Sequence, residues 1–237
     1  MNATIAPKPI QSPLTTRLSH LASLAPAEVE ALQIAERDQR RSPARREMIA
    51  EGTPIREQRA LLSGWACRQR ILRDGRRQIL SFLLPGDLIG VCHQSNPIAA
   101  TSILAITDVV TCPAPKASEI GGGLAEAYAV SGALEEHYLL RQVTRLGRLS
   151  AHERLADWIL EIRERLALAG LCSGNELPIP LTQEILADAL GLTSVHVNRT
   201  LQGMRRDGLL TSRSGVISLH DRARLEDLVE HRPAPLH

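Results

Sequence analysis

Aromatic residues are scarce in this sequence, which contains two tryptophans, two tyrosines and one phenylalanine among its 237 residues. Since 43% of the residues are nevertheless hydrophobic, the cores have to be built mainly from leucine, isoleucine, valine and alanine. Few rings are left on which unpaired bases could stack, and this argues against a single-stranded nucleic acid as the ligand. At this length we expect two domains of ordinary size.

Long apolar runs are absent as well. No stretch reaches the ~18 residues that a membrane-spanning helix needs, and Met1 to Gln11 lacks the apolar core of a signal peptide. The four cysteines form no Cys-x-x-Cys pair and are expected to be free thiols: Cys67, Cys92, Cys112 and Cys172. We therefore expect a cytoplasmic protein with no membrane partner, no metal and no cofactor.

Lysine is almost missing, because only Lys8 and Lys116 are lysine and the other 26 of the 28 basic residues are arginine. The planar fork of arginine suits guanine and phosphate. The arginines are spread along the whole chain, however, so a base-composition bias of the genome explains their number equally well. Twelve of them lie between Arg37 and Arg77, where alternation with apolar residues predicts that they occupy the solvated outer faces of strands.

Signatures of catalysis are missing too. The sequence contains no Gly-x-Ser-x-Gly, no His-Glu-x-x-His, no phosphate loop and no arrangement of paired carboxylates. We therefore predict that the chain is not an enzyme.

The most informative stretch that is present runs from Pro180 to Leu219. Thr182 is a good N-cap for a short amphipathic helix, and Gly191 can end that helix in a left-handed conformation. Thr193 can cap a second helix only two residues later. This spacing predicts a helix-turn-helix, in which two helices cross steeply at a tight turn.

The second helix has an apolar inner face, because Val197, Leu201 and Met204 fall at i, i+4 and i+7. After it, two short strand patterns flank Arg213-Ser214-Gly215 and predict a β-wing with a basic tip. The rest of the helix offers a polar face rich in donors: Ser194, Asn198, Arg199, Gln202, Arg205 and Arg206. Two amphipathic helices joined by a glycine are common, but the adjoining wing favours binding to duplex DNA.

The stretch LTQEILADALGLTSVHVNRTLQGMRRDGLL resembles the C-terminal DNA-binding domain of the Crp/Fnr family of bacterial transcription regulators. Upstream, Arg154 to Leu166 resembles the helix that precedes this motif in the family, and Asp74 to Gly90 resembles the family's cyclic-nucleotide-binding-type β-roll. The resemblance implies an α+β fold with an N-terminal antiparallel β-roll (jelly roll), a long dimerisation helix and a C-terminal winged helix-turn-helix. Turn signals about every ten residues between Arg45 and Gly90 agree with such a roll.

We accordingly divide the chain into four parts. Residues 1–16 are proline-rich without periodicity and are expected to be a mobile tail. Residues 17–123 form the roll with flanking helices, 124–150 the dimerisation helix, and 151–237 the winged helix-turn-helix. Within the third part Leu139, Val143 and Leu146 form an apolar stripe. The resemblance implies that this stripe joins two copies into a homodimer, and it is also compatible with packing against the roll of the same chain.

The resemblance also assigns DNA contacts residue by residue. It places base reading at Ser194, Val195 and Arg199, and phosphate contacts at Thr182, Thr193 and His196. The basic residues at the end of the helix and at the wing are further candidates for phosphate contact: Arg205, Arg206 and Arg213. Many relatives have glutamate where this chain has Val195, so their familiar half-sites are not expected here, whereas Arg199 matches and is expected to contact a guanine with both arms of its fork.

The expected effector site departs from the family. Relatives that bind cyclic nucleotides carry a Gly-Glu pair and an Arg-Ser or Arg-Thr pair, where this chain has Gly90-Val91 and Ala99-Ala100. A cyclic phosphate would find no charge or donor there, so we predict that cyclic AMP is not bound in the usual manner and leave the effector unknown. Basic residues of the roll are candidates for another anionic effector, and a roll kept only for its fold is equally consistent: Arg68, Arg70, Arg76 and Arg77.

The expected partners are therefore double-stranded DNA, a second copy of the chain and RNA polymerase. The alternative is an effector-sensing adaptor whose C-terminal domain contacts protein and not DNA. The altered nucleotide site combined with a retained Arg199 argues against that alternative.

Overall fold

The computed structural model describes residues 11–90 and 96–235 and begins with two short helices, α1 (Pro13–Leu21) and α2 (Pro26–Ala35). Ser12 caps α1 by accepting a hydrogen bond from the Thr15 amide at 3.1 Å. Leu14 and Leu18 of this helix are completely buried. The prediction of a mobile tail up to residue 16 is therefore wrong from Pro13 onward, because a proline in the first helical position and buried leucines stabilise a helix. Residues 1–10 lie outside the described part.

Two antiparallel four-stranded sheets follow, with strand orders β1-β8-β3-β6 and β2-β7-β4-β5. They pack face to face as a jelly roll, which confirms the predicted α+β class. The strands are β1 (Arg40–Ser42), β2 (Glu47–Ile49), β3 (Arg59–Ser63), β4 (Ala66–Ile71), β5 (Arg77–Leu83), β6 (Leu88–Ile89), β7 (Ser102–Ala105) and β8 (Val109–Pro113).

Three helices connect the roll to the C-terminal part: α3 (Ala117–Ile120), α4 (Gly122–Arg148) and α5 (Ala151–Leu168). The chain breaks between the last two because Leu149 is extended, with φ −83° and ψ 144°. Ser150 then caps α5 in a capping box with Glu153, whose side chain accepts from the Ser150 amide at 2.7 Å. The long helix begins at Gly122, two residues before the predicted boundary at 124.

The C-terminal part contains β9 (Glu176–Pro178), α6 (Gln183–Leu190), α7 (Ser194–Arg206), β10 (Leu210–Arg213), β11 (Val216–Leu219) and α8 (Arg222–Leu228). The predicted winged helix-turn-helix is therefore present. The wing is a three-stranded sheet in the order β10-β11-β9, and the sequence patterns did not predict β9 or α8. Nowhere in the described residues is a helix long and apolar enough to cross a membrane.

Three of the five aromatic rings meet where the roll contacts α5. The Phe82 ring lies 5.9 Å from the Trp65 ring and 5.5 Å from the Trp158 ring, centroid to centroid. This cluster continues without interruption into the core of the helix-turn-helix, where Leu190 and Val197 are completely buried. The roll, α5 and the DNA-binding part thus share one apolar core, which ties their relative positions together.

A chain of buried ion pairs, which we call the junction network, crosses the same region. Arg165 of α5 lies 2.7 Å from Asp87 of the roll and 3.2 Å from Glu161. Glu161 also accepts from Arg145 of α4 at 2.6 Å. Burial opposes ionisation of Asp87, but the guanidinium groups of Arg165 and Arg17 outweigh burial and hold the pKa of this carboxyl below its ordinary value. The junction network therefore connects α1, the roll, α4 and α5 through buried charges.

Candidate nucleic-acid interface

The helix-turn-helix follows the local signals closely. The Thr182 hydroxyl accepts from the Ile185 amide at 3.2 Å, and the Thr193 hydroxyl accepts from the His196 amide at 3.2 Å. Gly191 ends α6 in the left-handed region at φ 63°. An added Cβ at Gly191 would also lie 3.2 Å from Leu146 of α4, so glycine is favoured there both by backbone conformation and by space.

The polar face of α7 is exposed as predicted, except that Asn198 is half-buried. Its inner residues Val197, Leu201 and Met204 are buried, whereas Val195 is 59% exposed. Arg199 is also exposed and has no hydrogen-bond or ion-pair partner among the described residues. Helical spacing aligns four exposed residues into a single outward stripe, which we call the recognition stripe: Val195, Arg199, Gln202 and Arg206. The guanidinium of Arg199 is thus free to make contacts outside the chain.

The hydroxyl groups predicted to touch phosphate already serve the fold. Thr182 and Thr193 use their oxygens as acceptors in the N-caps of α6 and α7. Each hydroxyl keeps its hydrogen, which can be donated to a phosphate oxygen without breaking the cap. His196, also predicted for phosphate contact, is exposed in the first turn of α7. Their roles toward DNA stay predictions.

The three later arginines differ from one another. Arg205 donates to the Ser212 carbonyl of the wing at 3.1 Å, so part of its guanidinium holds α7 against β10. Arg206 lies on the recognition stripe, and Arg213 ends β10 beside a tight turn in which Ser214 and Gly215 have φ 51° and 77°. Arg206 and Arg213 are exposed, and their side chains have no hydrogen-bond or ion-pair partner among the described residues. The structure therefore separates one wing-docking arginine from two free ones.

Residues that hold the helix-turn-helix in place were not predicted. Arg154 of α5 donates to the carbonyl groups of Leu190 at 3.0 Å and of Leu146 at 3.0 Å, which joins the ends of α6 and α4. His152 approaches α7 so closely that a Cβ on Gly203 would lie 2.9 Å from its ring. The sequence offered no signal for these contacts, since they join segments that only the tertiary fold brings together.

The roll also contacts the helix-turn-helix directly. Arg77 of β5 forms an ion pair with Asp188 of α6 at 2.6 Å, and Gln78 donates to the Asp188 carbonyl at 2.9 Å. Gln142 of α4 donates to the Ala189 carbonyl at 2.7 Å. These bonds orient the first helix of the motif, so the direction in which α7 points depends on the roll and on α4.

Comparison with known proteins identifies this architecture. Residues 153–228 match the Crp-like helix-turn-helix domain. The nitrogen fixation regulation protein FixK of Bradyrhizobium diazoefficiens is 35% identical over 177 residues, which cover 71% of this chain and 72% of that protein. The chain belongs to the Crp/Fnr family. Accordingly it is a DNA-binding transcription regulator and not an enzyme.

Two further Crp/Fnr comparisons agree. The solved structure of FixK2 from Bradyrhizobium japonicum superposes with a TM-score of 0.70 at 29% identity and covers 80% of this chain and 96% of that one. The transcriptional activator protein FnrL of Cereibacter sphaeroides is 30% identical over 164 residues, which are 64% of this chain and 63% of that protein.

Within residues 11–90 and 96–235, no group of three or more potential ligands is placed to hold a metal ion.

The helix expected to dimerise in a Crp/Fnr protein exposes much of its predicted stripe. Leu139 is 40% exposed and Val143 is 69% exposed, and Leu140 beside them is similarly open. Leu146 differs, because it is half-buried and packs beside Gly191 of the helix-turn-helix. The assignment of all three to one seam stays a prediction, and Leu146 contributes at least part of its surface to its own chain.

The region between the roll and α4 is filled by Arg68. Its guanidinium contacts the Glu135 carboxylate of α4 and lies 3.4 Å from the Ser81 hydroxyl. The remaining space is about 30 Å³, which suffices for about one water molecule. The prediction that the roll's arginines all lie on outer strand faces is therefore wrong for Arg68, and also for buried Arg59, because each has polar partners inside the fold.

The other candidates for an anionic effector are also paired. Arg70 lies 3.0 Å from Glu51, Arg76 lies 2.7 Å from Asp74, and Arg77 pairs with Asp188. Of the altered nucleotide positions, Ala99 is buried and Ala100 is exposed, while Val91 lies outside the described residues. Arg68, Arg70, Arg76 and Arg77 therefore all have an acidic partner within the chain, and none of them is free to bind an effector.

Proposed function

We propose that this regulator binds a two-fold symmetric operator as a homodimer, with α7 of each protomer in a major groove. The observation that carries the proposal is the recognition stripe, on which Arg199 is exposed and unpaired between Val195 and Gln202. In a dimer the two stripes would read half-sites about one helical turn apart, roughly 34 Å. The two grooves would then present the same sequence in inverted orientation.

On this proposal the residues of α7 divide the work of recognition. Arg199 makes a bidentate contact to a guanine edge, Val195 can only meet a thymine methyl, and Ser194 donates or accepts at a neighbouring base. Phosphates are held by the hydroxyl groups of Thr182 and Thr193, which are the N-caps, and by His196. The two free arginines, Arg206 and Arg213, hold further phosphates. Arg205 is a weaker candidate, since it already holds the wing.

We further propose that cyclic AMP does not control this protein. Arg68 and Glu135 neutralise each other in the space beside α4, and a ligand would have to break that pair and find room for itself. A ligand shifts an equilibrium only by its difference in affinity for the two states.

Since relatives are described as transcriptional activators, we also propose RNA polymerase as a partner.

Selection of bound sequences from random duplex DNA by the full-length protein tests the proposal. We expect a consensus of two inverted half-sites, with one strongly preferred guanine per half-site that disappears in the Arg199→Ala variant. An unsymmetrical consensus, or none, would contradict it. In the same preparation calorimetry with cyclic AMP should show no binding, and micromolar affinity would overturn the effector part alone.

A further inference from the structure

The roll has an opening of ligand size that lies away from α4. It is located between β1 and β2, the edge strands of the two sheets, and has a volume of about 530 Å³. Pockets for small molecules typically measure about 300–1,000 Å³. The space beside α4, in contrast, measures about 30 Å³. Of these two spaces, only the opening between β1 and β2 can therefore admit a molecule larger than water.

This opening, which we call the arginine cleft, has an excess of positive charge. Its lining contains two carboxylates, Glu47 and Glu57, and five arginines: Arg40, Arg41, Arg46, Arg56 and Arg59. Five like charges around one opening repel one another, and a bound anion would relieve that repulsion.

The arginines of the cleft fall into two groups. Arg59 is fixed, because its Nε donates to the Thr111 hydroxyl at 2.9 Å and it also pairs with Glu57. Arg40 approaches Glu57 at 3.8 Å. The remaining three are exposed and have no ion-pair or hydrogen-bond partner among the described residues: Arg41, Arg46 and Arg56. Four of the five arginines of the β4–β5 region have acidic partners, Arg73 in the turn being the exception.

Apolar side chains also line the cleft. Met48 and Ile49 of β2 and Ile55 are half-buried, and Ile89 of β6 is buried. A free inorganic ion gains nothing from such a surface, whereas a molecule with a hydrocarbon or aromatic body is stabilised by the apolar area that it removes from water. Charge and shape together therefore select one class of ligand.

We propose that the arginine cleft binds a small anion that carries an apolar body, such as an aryl phosphate. The forks of Arg41, Arg46 and Arg56 hold the anionic group by charge-assisted hydrogen bonds, and the apolar side chains of the lining pack against the body. No residue of α6, α7 or the wing lines the cleft. The site is therefore independent of the proposed DNA contacts, and its test does not depend on them.

Calorimetry on the full-length protein with three probes tests the site. Phenyl phosphate carries both features, inorganic phosphate lacks the body, and phenol lacks the charge. We expect saturable binding of phenyl phosphate, at least about tenfold weaker binding of inorganic phosphate, and no saturable binding of phenol. In a triple variant, Arg41→Gln, Arg46→Gln and Arg56→Gln, phenyl phosphate should bind at least about tenfold more weakly, since three charged hydrogen-bond donors are lost.

A matched variant removes the same charge from exposed positions outside the cleft: Arg73→Gln, Arg148→Gln and Arg232→Gln. It should bind phenyl phosphate as the unmodified protein does. Absence of saturable phenyl phosphate binding, binding retained in the cleft variant, or equal losses in both variants would overturn the proposal. Equal affinity for inorganic phosphate would overturn the requirement for an apolar body. Loss of DNA affinity in the cleft variant, without phenyl phosphate binding by the unmodified protein, would reassign the arginines to DNA phosphates.

Discussion

The two functional helices distribute charge in opposite ways. On α7 the arginines face outward and the apolar residues face inward, except for the exposed Val195. On α4 Arg145 is 1% exposed, while Val143, two residues earlier, is 69% exposed. The inward arginine is tolerated because Asp157 and Glu161 surround it at 2.6 Å each.

This contrast indicates which kind of partner fits the outward face of each helix. The outward face of α7 is polar and basic, so water satisfies it until a polyanion replaces the water. The outward face of α4 exposes leucine and valine side chains that its own chain leaves uncovered, which fits a protein partner. The same residue types thus indicate DNA at one helix and a second protein surface at the other.

Removing the inward charge of α4 should have the largest effect. Arg145→Ala leaves two buried carboxylates without their shared partner, and we expect the free energy of unfolding to fall by about 3–5 kcal/mol. Urea unfolding at a fixed protein concentration measures this. Arg148→Ala, three residues further along the same helix and exposed, should lose less than about 1 kcal/mol. Similar losses in both variants would show that the junction network adds nothing to stability.

Placing a charge on the outward face of α4 should have the next largest effect. In Val143→Glu an unpaired carboxylate would enter the proposed dimer seam from each protomer, and we expect the dimer dissociation constant to rise at least about a hundredfold, or about 2.8 kcal/mol. Analytical ultracentrifugation measures the change, and Val143→Ile should remain dimeric. A Val143→Glu protein as dimeric as the unmodified one would remove this face from the interface.

On the outward face of α7, Arg199 and Arg206 should separate base reading from phosphate binding. Arg199→Ala should cost about 1–3 kcal/mol per half-site on the cognate duplex and leave a scrambled duplex almost unaffected. Arg206→Ala should weaken both duplexes alike and lower the salt slope by about one unit per protomer. Binding isotherms at several salt concentrations distinguish the two. Equal losses on both duplexes in the Arg199 variant would mean that this helix does not read bases as proposed.

The smallest expected effect is in the pH dependence. Burial opposes ionisation of Asp157, but Arg145 and Arg141 outweigh it and keep the pKa of this carboxyl below its ordinary value. A carboxyl with a lowered folded pKa contributes stability that is complete above its unfolded pKa of about 3.9 and is lost as the pH falls through the folded value. Because Arg145→Ala raises that folded pKa, the stability difference between the two proteins should narrow on acidification. Unfolding midpoints at neutral and acidic pH test this, and a constant or widening gap would contradict it.

Local sequence signals were sufficient to predict the helix-turn-helix. Thr182, Gly191 and Thr193 sit at the helix ends that their chemistry favours, and the apolar spacing identified the inner face of α7. These features depend on residues within a few positions of one another, where helix capping and periodicity act. The same holds for the alternation and turn spacing that predicted the roll.

The partners of the arginines were decided by the tertiary structure. The residues next to Arg68 and Arg46 in the sequence do not show that the two arginines differ. Arg68 pairs with Glu135 of α4, whereas Arg46 lines the arginine cleft and has no partner among the described residues. Nor does any pattern show that Arg205 docks the wing while Arg206 stays free. A guanidinium can pair with a carboxylate, a carbonyl or a phosphate, and which of these it meets depends on segments distant in the sequence that the fold brings within hydrogen-bonding distance.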